Sequence, residues 1–431
     1  MTRSFWLLSG LLIAMMLAGL LTINRGILAL TLPVLVYLLV AAHHAPSGGE
    51  LQVTRQMSTD RITQGVDVII KVQVTNADEM TEELHLSESL PLPAQSLEGS
   101  LTQVVALAPR ENFVYEYTLQ GWRGNYKFEQ LSARRVDNFG LFEIREELSA
   151  PGNVLVYPDV TQLKPIPIRP PHTKGFSGPI PARKSGAGMD FFGVRQYHLG
   201  DSLRHVNWKT SARHIVDLFT NEYEQEQIAD VGLILDARPH CDLSIHGQSL
   251  FEYSVQATAA LAEMFLNQGH CLSMLIYSAA ILRVFPGYGK IQRERILRAL
   301  ANAETGTNRA MAHLSYHSAR MLPPRGQLVY ISPLATEDLE SLLRIRSQGY
   351  QILVVTPDPL DIEQQSADDT AQPDFQLALR FAQIERYLLC RNLHRAGIQV
   401  INWQVGRSLS AVLEQVRLKN ILNQRAPRLL Q

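Results

Sequence analysis

Cysteine is scarce in this chain of 431 residues, and its three copies exclude a fold held together by disulfides. Cys241, Cys271 and Cys390 leave one thiol over in any pairing. Small secreted domains that depend on disulfides have many more cysteines for their length. We therefore expect free thiols and a protein whose bulk lies in a reducing compartment.

Net charge and a nucleotide-binding loop are lacking as well. The chain has 40 Lys and Arg residues against 41 Asp and Glu residues, which leaves a formal charge of −1 and no electrostatic basis for binding nucleic acid. Gly289-Lys290 is followed by Ile291, where a phosphate-binding Walker A loop needs Ser or Thr, and the upstream Gly of that motif is missing. We therefore expect no ATP hydrolysis by this chain.

A paired nucleophile and base is also lacking. His240-Cys241 and His270-Cys271 could suggest a zinc site or thiol catalysis. The first pair follows the carboxyl end of a predicted strand and the second begins a strand, so they should lie roughly 15 Å or more apart at opposite edges of a sheet. We expect structural cysteines, no cofactor and no enzymatic activity; an envelope-associated hydrolase is the alternative.

Long apolar runs are present at the amino terminus. Phe5–Thr22 and Ile27–Ala42 flank the polar residues Asn24-Arg25-Gly26. Each run is close to the ~20 residues that a membrane-spanning helix needs. The pattern predicts a transmembrane helical hairpin over residues 1–44. A cleaved signal peptide is the alternative, which the second apolar run disfavours.

Basic residues around the predicted hairpin indicate its orientation. Arg3, Arg55 and Arg61 lie outside the turn, against Arg25 within it. Because positive charge is enriched on the cytoplasmic side of membrane proteins, we expect a protein of the cell inner (plasma) membrane whose bulk faces the cytoplasm.

Residues 50–160 alternate apolar and polar side chains with a period of two. The alternation is clearest in Val66–Val74 and Phe113–Leu119. Short strands of this kind, separated by Gly, Asn and Pro, predict an immunoglobulin-like β-sandwich. Trp122–Tyr126 is interpreted as a hairpin, and Asp137–Phe142 as a turn that carries aromatic side chains.

Residues 161–189 are predicted to be a basic, proline-rich linker. Prolines favour extended backbone there, and the segment has five cations before any acidic residue: Lys164, Arg169, Lys174, Arg183 and Lys184. Contact with membrane lipid or an acidic partner is one interpretation; a solvated linker is the other.

Residues 227–431 alternate strands with helices, which predicts an α/β domain with a parallel sheet covered on both faces. The predicted strands are Val231–Leu235, Cys271–Tyr277, Gln327–Ile331, Gln351–Thr356 and Gln399–Trp403. The predicted helices are Ser249–Gln268, Gln292–Ala303, Thr336–Ser347, Phe375–Ala396 and Ser408–Leu422. Asp361–Asp374 is polar and is interpreted as a loop.

The segment 190–226 is the densest in special residues. Gly200-Asp201 predicts a turn that leads into a helix, with Asp201 as its capping residue. Trp208 is expected to be buried between domains. The residues that we single out here, called the signature below, are Tyr197, Gly200, Asp201, Arg204, Trp208, Lys209, Ala212 and Arg213.

The spacing of the signature resembles that of the bacterial family known as domain of unknown function number fifty-eight. The resemblance implies a von Willebrand factor A-like (Rossmann-like) sheet for residues 227–431. It also implies association with MoxR-type AAA ATPases and other membrane-associated accessory proteins. The expected function is that of a membrane-anchored adaptor in the assembly or maturation of membrane or envelope complexes.

Three roles for the signature remain open: an internal ion-pair network that clamps domains together, a surface that binds a partner, and a catalytic site. The last is disfavoured because no nucleophile lies beside the histidines. The candidate partner-binding residues are Tyr197, Asp201, Arg204, Trp208, Lys209 and Arg213.

Asp236 is a weak candidate for a metal ligand. The resemblance places it at the start of the Asp-x-Ser-x-Ser metal site of von Willebrand A domains, whose oxygen ligands suit Mg²⁺. Here Arg238 and His240 replace the two hydroxyls, and Ser332 stands where a further Asp would be expected; Thr305 and Thr307 could supply an oxygen. We expect Asp236 to pair with Arg238 or a helix N-terminus, and no bound metal; a metal-dependent adhesion module outside the cell is the alternative.

Overall fold

The computed structural model describes residues 2–45, 51–77, 82–91, 95–137, 139–166, 180–214, 217–245, 248–306, 326–366 and 373–415. The chain divides into two compact units, Met1–Tyr157 and Pro158–Gln431. The first contains the apolar helices and a β domain, and the second contains the signature and the α/β sheet.

Two antiparallel helices form the amino terminus, as the apolar runs predict. α1 spans Arg3–Thr22 and α2 spans Arg25–His43, and both are long and apolar enough to cross a membrane. The turn between them is capped by Asn24, whose side chain accepts a hydrogen bond from the Gly26 N–H at 2.9 Å. Most of the large apolar side chains on both helices are exposed.

The aromatic turn at 137–142 contacts the open end of this helical pair. The Thr2 N–H donates to the Leu141 carbonyl at 2.9 Å. The Phe142 ring centroid lies 5.1 Å from that of Phe5, and the Phe139 ring lies 5.3 Å from that of Tyr37. The Gly140 N–H donates to the Asp137 carbonyl at 2.9 Å, which confirms the predicted turn. The turn joins the β domain to the helices within the first unit.

The described residues of the β domain form nine strands in two sheets. They are β1 Leu51–Met57, β2 Arg61–Thr63, β3 Val68–Asn76, β4 Glu82–Ser87, β5 Gln95–Glu98, β6 Thr102–Leu107, β7 Asn112–Gln120, β8 Gly124–Val136 and β9 Glu143–Tyr157. The sheet orders are β1-β3-β7-β5 and β2-β9-β8-β4-β6. Alternate residues of β3 and β7, such as Val72 and Tyr117, are buried, because one face of each strand packs into the core.

Residues 122–126 do not form the predicted hairpin. β7 and β8 belong to different sheets, so this segment crosses between sheets. Its conformation is held by the Tyr126 hydroxyl, which donates to the Trp122 carbonyl at 2.7 Å. A tyrosine that bonds back to upstream backbone in this way is found at the corner of many immunoglobulin-like sandwiches.

The second unit begins with an antiparallel pair, β10 Ile180–Gln196 and β11 Phe219–Gln227. The prediction of a linker to residue 189 is therefore wrong from residue 180 onward, because these residues pair with β11 as part of β10 in spite of their Pro and Gly content. Residues 167–179 of the predicted linker lie outside the described part of the chain.

A six-stranded sheet follows, in the order β16-β15-β12-β17-β18-β19. The strands are β12 Asp230–Asp236, β15 Cys271–Tyr277, β16 Ile281–Gly287, β17 Gln327–Ile331, β18 Gln351–Pro357 and β19 Gln399–Trp403; a two-residue pair, β13 Ser244–Ile245 and β14 Gln248–Ser249, precedes the first helix. The sheet is mixed, because β16 runs antiparallel to β15 at the edge. The sequence did not predict β16.

Helices cover the sheet and lie close to their predicted bounds. The described helices after the signature's short α3 (Trp208–Ser211) are α4 Leu250–Asn267, α5 Gly289–Ala301, α6 Asp338–Ser347, α7 Pro359–Ser366 and α8 Pro373–Arg395, and residues 409–415 are also helical. The predicted loop over 361–374 is wrong in part, because α7 occupies its first residues and α8 its last; residues 367–372 are not among those described.

Candidate interaction surface and the carboxyl edge of the sheet

The signature occupies the connection between β10 and β11. The Tyr197 N–H donates to the Leu218 carbonyl at 2.8 Å, and the Asn207 N–H donates to the Phe219 carbonyl at 2.8 Å. Backbone hydrogen bonds to the start of β11 therefore fix the connection beyond the paired residues of the two strands. Gly200 adopts φ +110°, which side chains other than Gly strongly disfavour.

Asp201 belongs to an internal network and caps no helix, so the prediction of a helix cap is wrong. Both of its carboxylate oxygens accept from Arg195, at 2.7 Å each, and one also accepts from the His198 N–H at 2.9 Å. Arg195 in turn donates through Nε to Glu222 on β11 at 2.8 Å. The hydrogen bonds from Arg195 and His198 lower the pKa of Asp201 to about 2, so it is ionised at neutral pH.

The helix cap is supplied by Asn207 instead. Its Oδ1 accepts from the Thr210 N–H at 2.9 Å at the start of α3, and its Nδ2 donates to Asn221 on β11 at 2.8 Å. Asn is as good a capping residue as Asp. The sequence could have revealed this cap, because Asn207 directly precedes the four-residue helix.

Three large apolar side chains between Tyr197 and Arg213 are exposed to solvent. Leu199 is fully exposed, and Leu203 and Trp208 are each 65% exposed. The expectation that Trp208 is buried is therefore wrong: Val206, two residues earlier, is the buried anchor at 5% exposure.

Cations surround these apolar side chains. Arg204, Lys209 and Arg213 are exposed, and within the described residues none of them makes an ion pair or a side-chain hydrogen bond. Tyr197 is half-buried and its hydroxyl donates to the Asp201 carbonyl at 3.1 Å. The six candidate residues therefore divide into an internal pair, Tyr197 and Asp201, and four exposed residues, which together with Leu199 and Leu203 we call the signature surface.

A second polar cluster lies at the carboxyl ends of β12 and β17. These adjacent strands are where the sheet order reverses, and ligands of open α/β sheets bind at such reversal points. Asp236 ends β12 and is fully buried, and Ser332, just after β17, donates to its Oδ2 at 2.7 Å.

Arg238 occupies the position that a cation would take in this cluster. Its guanidinium donates to Asp236 at 2.8 and 2.6 Å and to both oxygens of Asp338 at 2.8 Å, and it contacts the Tyr330 hydroxyl at 3.2 Å. Burial alone would raise the pKa of Asp236, but hydrogen bonds from Arg238 and His240 outweigh burial and lower this pKa. At Asp338 the effect of burial is larger than that of Arg238, so the pKa of Asp338 is raised. The predicted pairing of Asp236 with Arg238 is present.

The geometry does not suit a metal ion. Ligand atoms of Asp236, His240 and Cys241 lie within 4.8 Å of one another. However, both carboxylate oxygens of Asp236 already accept from Arg238, so a metal would have to displace a buried guanidinium. Thr305 has no described contact with this cluster, and Thr307 lies outside the described residues.

Cys241 is also a poor nucleophile in this setting. Its Sγ lies 3.7 Å from the His240 Nε2, and the same nitrogen lies 3.3 Å from Asp236. In a catalytic triad, one ring nitrogen contacts the nucleophile and the other contacts the carboxylate, so this arrangement is not a triad. Burial raises the pKa of the Cys241 thiol well above its ordinary value, which keeps it protonated. Cys271 pairs with Asp230 at the opposite edge of the sheet, so the predicted separation of the two His-Cys pairs is confirmed.

Sequence reasoning missed several residues that organise these two regions. Arg195 is not part of the signature, and its role depends on Glu222, which is 27 residues away in the chain. Asp338 lies 100 residues from Arg238. No local spacing could have brought either pair together.

Comparison with known proteins finds a family model that matches the part of the chain containing the signature. Residues 193–366 match the family described as "Protein of unknown function DUF58", which confirms the predicted resemblance. "Uncharacterized protein YeaD" of Bacillus subtilis (strain 168) is 27% identical over 148 residues, which are 34% of this chain and 34% of that protein. The match therefore spans about a third of that relative.

Solved structures resemble only short parts of the chain. The CARDB domain of the PF1109 protein from Pyrococcus furiosus is 19% identical and aligns over 25% of this chain and 93% of its own, with a TM-score of 0.18. A non-cellulosomal cohesin from Archaeoglobus fulgidus is 13% identical and aligns over 25% of this chain and 91% of its own, with a TM-score of 0.19. At TM-scores this low, the likeness carries no conclusion about this protein.

Proposed function

We propose that this chain, whose residues 193–366 match the family of proteins of unknown function DUF58, is a membrane-anchored accessory protein. Its signature surface would bind a MoxR-type AAA ATPase. It would act in the assembly or maturation of membrane or envelope complexes, without catalysing a reaction itself. The observation that carries the proposal is Trp208, which is 65% exposed among cations that have no described partner.

The chemistry of the signature surface supports a protein partner. Trp and Arg carry most of the binding energy in many protein interfaces, especially where they lie together. Arg204, Lys209 and Arg213 favour an acidic partner surface, because complementary charge speeds association and fixes the binding orientation. The internal network of Arg195, Asp201 and Glu222 holds the connection in shape, which lowers the entropy lost on binding.

The helical pair supports membrane anchoring. α1 and α2 have the length and composition of spanning helices, and most of their large apolar side chains lie exposed. Exposed apolar side chains on this scale are stable in lipid and costly in water. The basic residues outside the turn favour a bulk that faces the cytoplasm of the cell, where MoxR-type ATPases are found.

The sheet supports a von Willebrand factor A-like domain that has lost its metal. Its order has the reversal of a doubly wound sheet, with an antiparallel edge strand, and Asp236 ends the first strand as the metal-binding aspartate would. Arg238 supplies the positive charge internally. A metal-dependent adhesion module and a thiol hydrolase both need chemistry that Arg238 and the protonated Cys241 oppose.

Affinity capture from native membranes tests the proposed partner. The full-length protein should co-purify an AAA ATPase, and Arg204→Ala with Lys209→Ala should abolish that capture while the melting temperature stays within a few degrees. The matched control is Lys290→Ala with Arg295→Ala, which removes two exposed cations from α5. Equal capture by the double variant and the wild type would refute the proposed surface.

Carbonate extraction and a carboxyl-terminal tag test the anchor. The protein should remain with the membrane, and the tag should be reached only from the cytoplasmic side. A shortened, extractable product would show that the amino terminus is a cleaved signal peptide.

A further inference from the structure

Helix α8 is held against the sheet by an arginine on one face. Arg386 donates to the Pro333 carbonyl at 2.9 Å and the Thr356 hydroxyl at 2.9 Å, and it pairs with Asp358 at 3.0 Å. It also reaches Asn402 at 2.8 Å. These partners follow or end three neighbouring strands, so the rotation of α8 about its own axis is fixed.

The opposite face of α8 carries an exposed apolar stripe. Leu377, Phe381 and Ile384 are 56%, 61% and 56% exposed, and Leu388 is 39% exposed. At 100° per residue, these four positions lie within about 40° of the direction opposite Arg386. The stripe thus faces away from the sheet, and no described residue covers it.

The spacing of the stripe is that of a helix that packs against another helix. The four residues follow one another at intervals of four, three and four, which are the a and d positions of a heptad repeat. The next a or d position of this repeat is Arg391, whose guanidinium lies 5.8 Å from the Tyr387 ring at the side of the helix. The apolar stripe therefore ends at Leu388, after about three turns.

The charges that flank the stripe complement a second copy of the same helix. With Phe381 at position a, Arg380 is at position g and Glu385 is at position e of the next repeat. In a parallel pair of helices, g of one chain lies beside that e of the other, so each Arg380 meets a Glu385 of its partner. Both side chains are exposed, and neither makes an ion pair with a described residue.

We propose that α8 is a self-association surface, through which two copies of this chain pair in parallel along Leu377, Phe381, Ile384 and Leu388. The partner is a second copy, because Arg380 and Glu385 complement each other across a two-fold axis parallel to the helix. The surface is separate from the signature surface, and its test does not depend on the ATPase.

Cysteine cross-linking of the full-length protein in membranes tests this arrangement. Leu377→Cys, in a Cys390→Ser background that removes the half-buried thiol of α8, should give a band of doubled mass on a non-reducing gel. In a parallel pair the two introduced cysteines face each other, whereas in an antiparallel pair centred on the stripe they would be roughly 16 Å apart. The matched control is Gln383→Cys, exposed on α8 but off the seam.

The outcomes are distinct. A doubled band from Leu377→Cys that exceeds the control supports the parallel pair. A yield equal to that of the control overturns the proposal, and so does cross-linking that needs a mixture of Leu377→Cys and Leu388→Cys chains, because that mixture reports an antiparallel pair.

A charge exchange identifies the partner as a second copy. In the Leu377→Cys background, Arg380→Glu should reduce cross-linking to the control level, because it sets two acidic residues side by side. Adding Glu385→Arg should restore the doubled band, since the exchanged charges again complement each other. Failure of the double exchange to restore it would contradict the proposal, because only self-pairing inverts both sides of the interface at once.

Discussion

Replacing Arg238 with alanine should strongly destabilise the second unit. The change leaves Asp236 and Asp338 buried without their shared counter-ion, and both are less than 1% exposed. Breaking a buried ion pair by removing one partner costs about 3–5 kcal/mol. At 2–4 °C per kcal/mol for a domain of this size, the melting temperature should fall by about 6–20 °C.

The control for this change is Arg344→Ala. Arg344 pairs with Glu340 at 2.8 Å on the surface, with both side chains more than half exposed. Such a pair contributes about 0–1 kcal/mol, so the melting temperature should change little. A loss at Arg238 no larger than that at Arg344 would refute the account of a buried counter-ion.

The pH dependence of the Arg238→Ala variant has a definite sign. In the wild type, the lowered pKa of Asp236 contributes stability above pH ~3.9 that is lost as the pH falls below this value. In the variant, two buried and unpaired carboxyl groups take up protons more readily in the folded state than in the unfolded state. The difference in melting temperature between variant and wild type should therefore shrink as the pH is lowered from 7 to 4.

Magnesium separates an internal counter-ion from a metal site. Millimolar Mg²⁺ should leave the melting temperature of the wild type unchanged. Arg238→Ser with His240→Ser restores two hydroxyls beside Asp236, and Mg²⁺ at about 100 times its dissociation constant should then stabilise the variant by about 2.7 kcal/mol. An increase in the wild type that disappears in Asp236→Ala would contradict the account.

The exposed or buried position of three other side chains predicts the effect of replacing them. Glu88 pairs with Arg55 at 2.7 Å, and both side chains are fully buried. Glu88→Gln should lower the free energy of unfolding, measured by urea titration, by about 3–5 kcal/mol. Glu116→Gln, in the exposed pair with Lys71, should lower it by only about 0–1 kcal/mol. Burial lowers the pKa of His270 to about 4. The free energy of unfolding should therefore decline by up to about 1.4 kcal/mol per pH unit as the pH falls from ~6.5 to 4. His270→Asn should remove this pH dependence, and an unchanged pH dependence would exclude this histidine as its cause. Trp208→Ala should change the unfolding free energy by no more than about 0.5 kcal/mol, because the ring is 65% exposed, and a large loss in thermal melting would show that the ring is buried after all.

The regular elements could be predicted because their signals are local. Ser249 caps α4, accepting from the Glu252 N–H at 3.3 Å, and the strand Cys271–Tyr277 has the bounds that its apolar run indicates. β16 was missed because Phe285 and Leu282 point to a largely exposed edge and the strand contains Pro286, which argues against a central strand.

The candidate site was less predictable because its roles depend on distant partners. The sequence marked Asp201 as a cap, but Arg195 and Glu222 assemble beside it only when β10 pairs with β11. It also marked Trp208 as buried, since large aromatic residues usually are. Trp208 is instead the exposed first residue of the short α3, and Val206 is the residue that is buried. The pairing of Asp236 with Arg238 was predictable, because only one residue separates them in the chain.

Photo-cross-linking from position 208 tests the central proposal most directly. A benzophenone amino acid in place of Trp208 should, in living cells, cross-link the full-length protein to an AAA ATPase that mass spectrometry can identify. The same probe in place of Ile291, which is 71% exposed on α5, is the control and should give no such product. Cross-linking to the ATPase from position 208 alone is the result that we predict; no ATPase product from position 208, or equal yields from both positions, would contradict it.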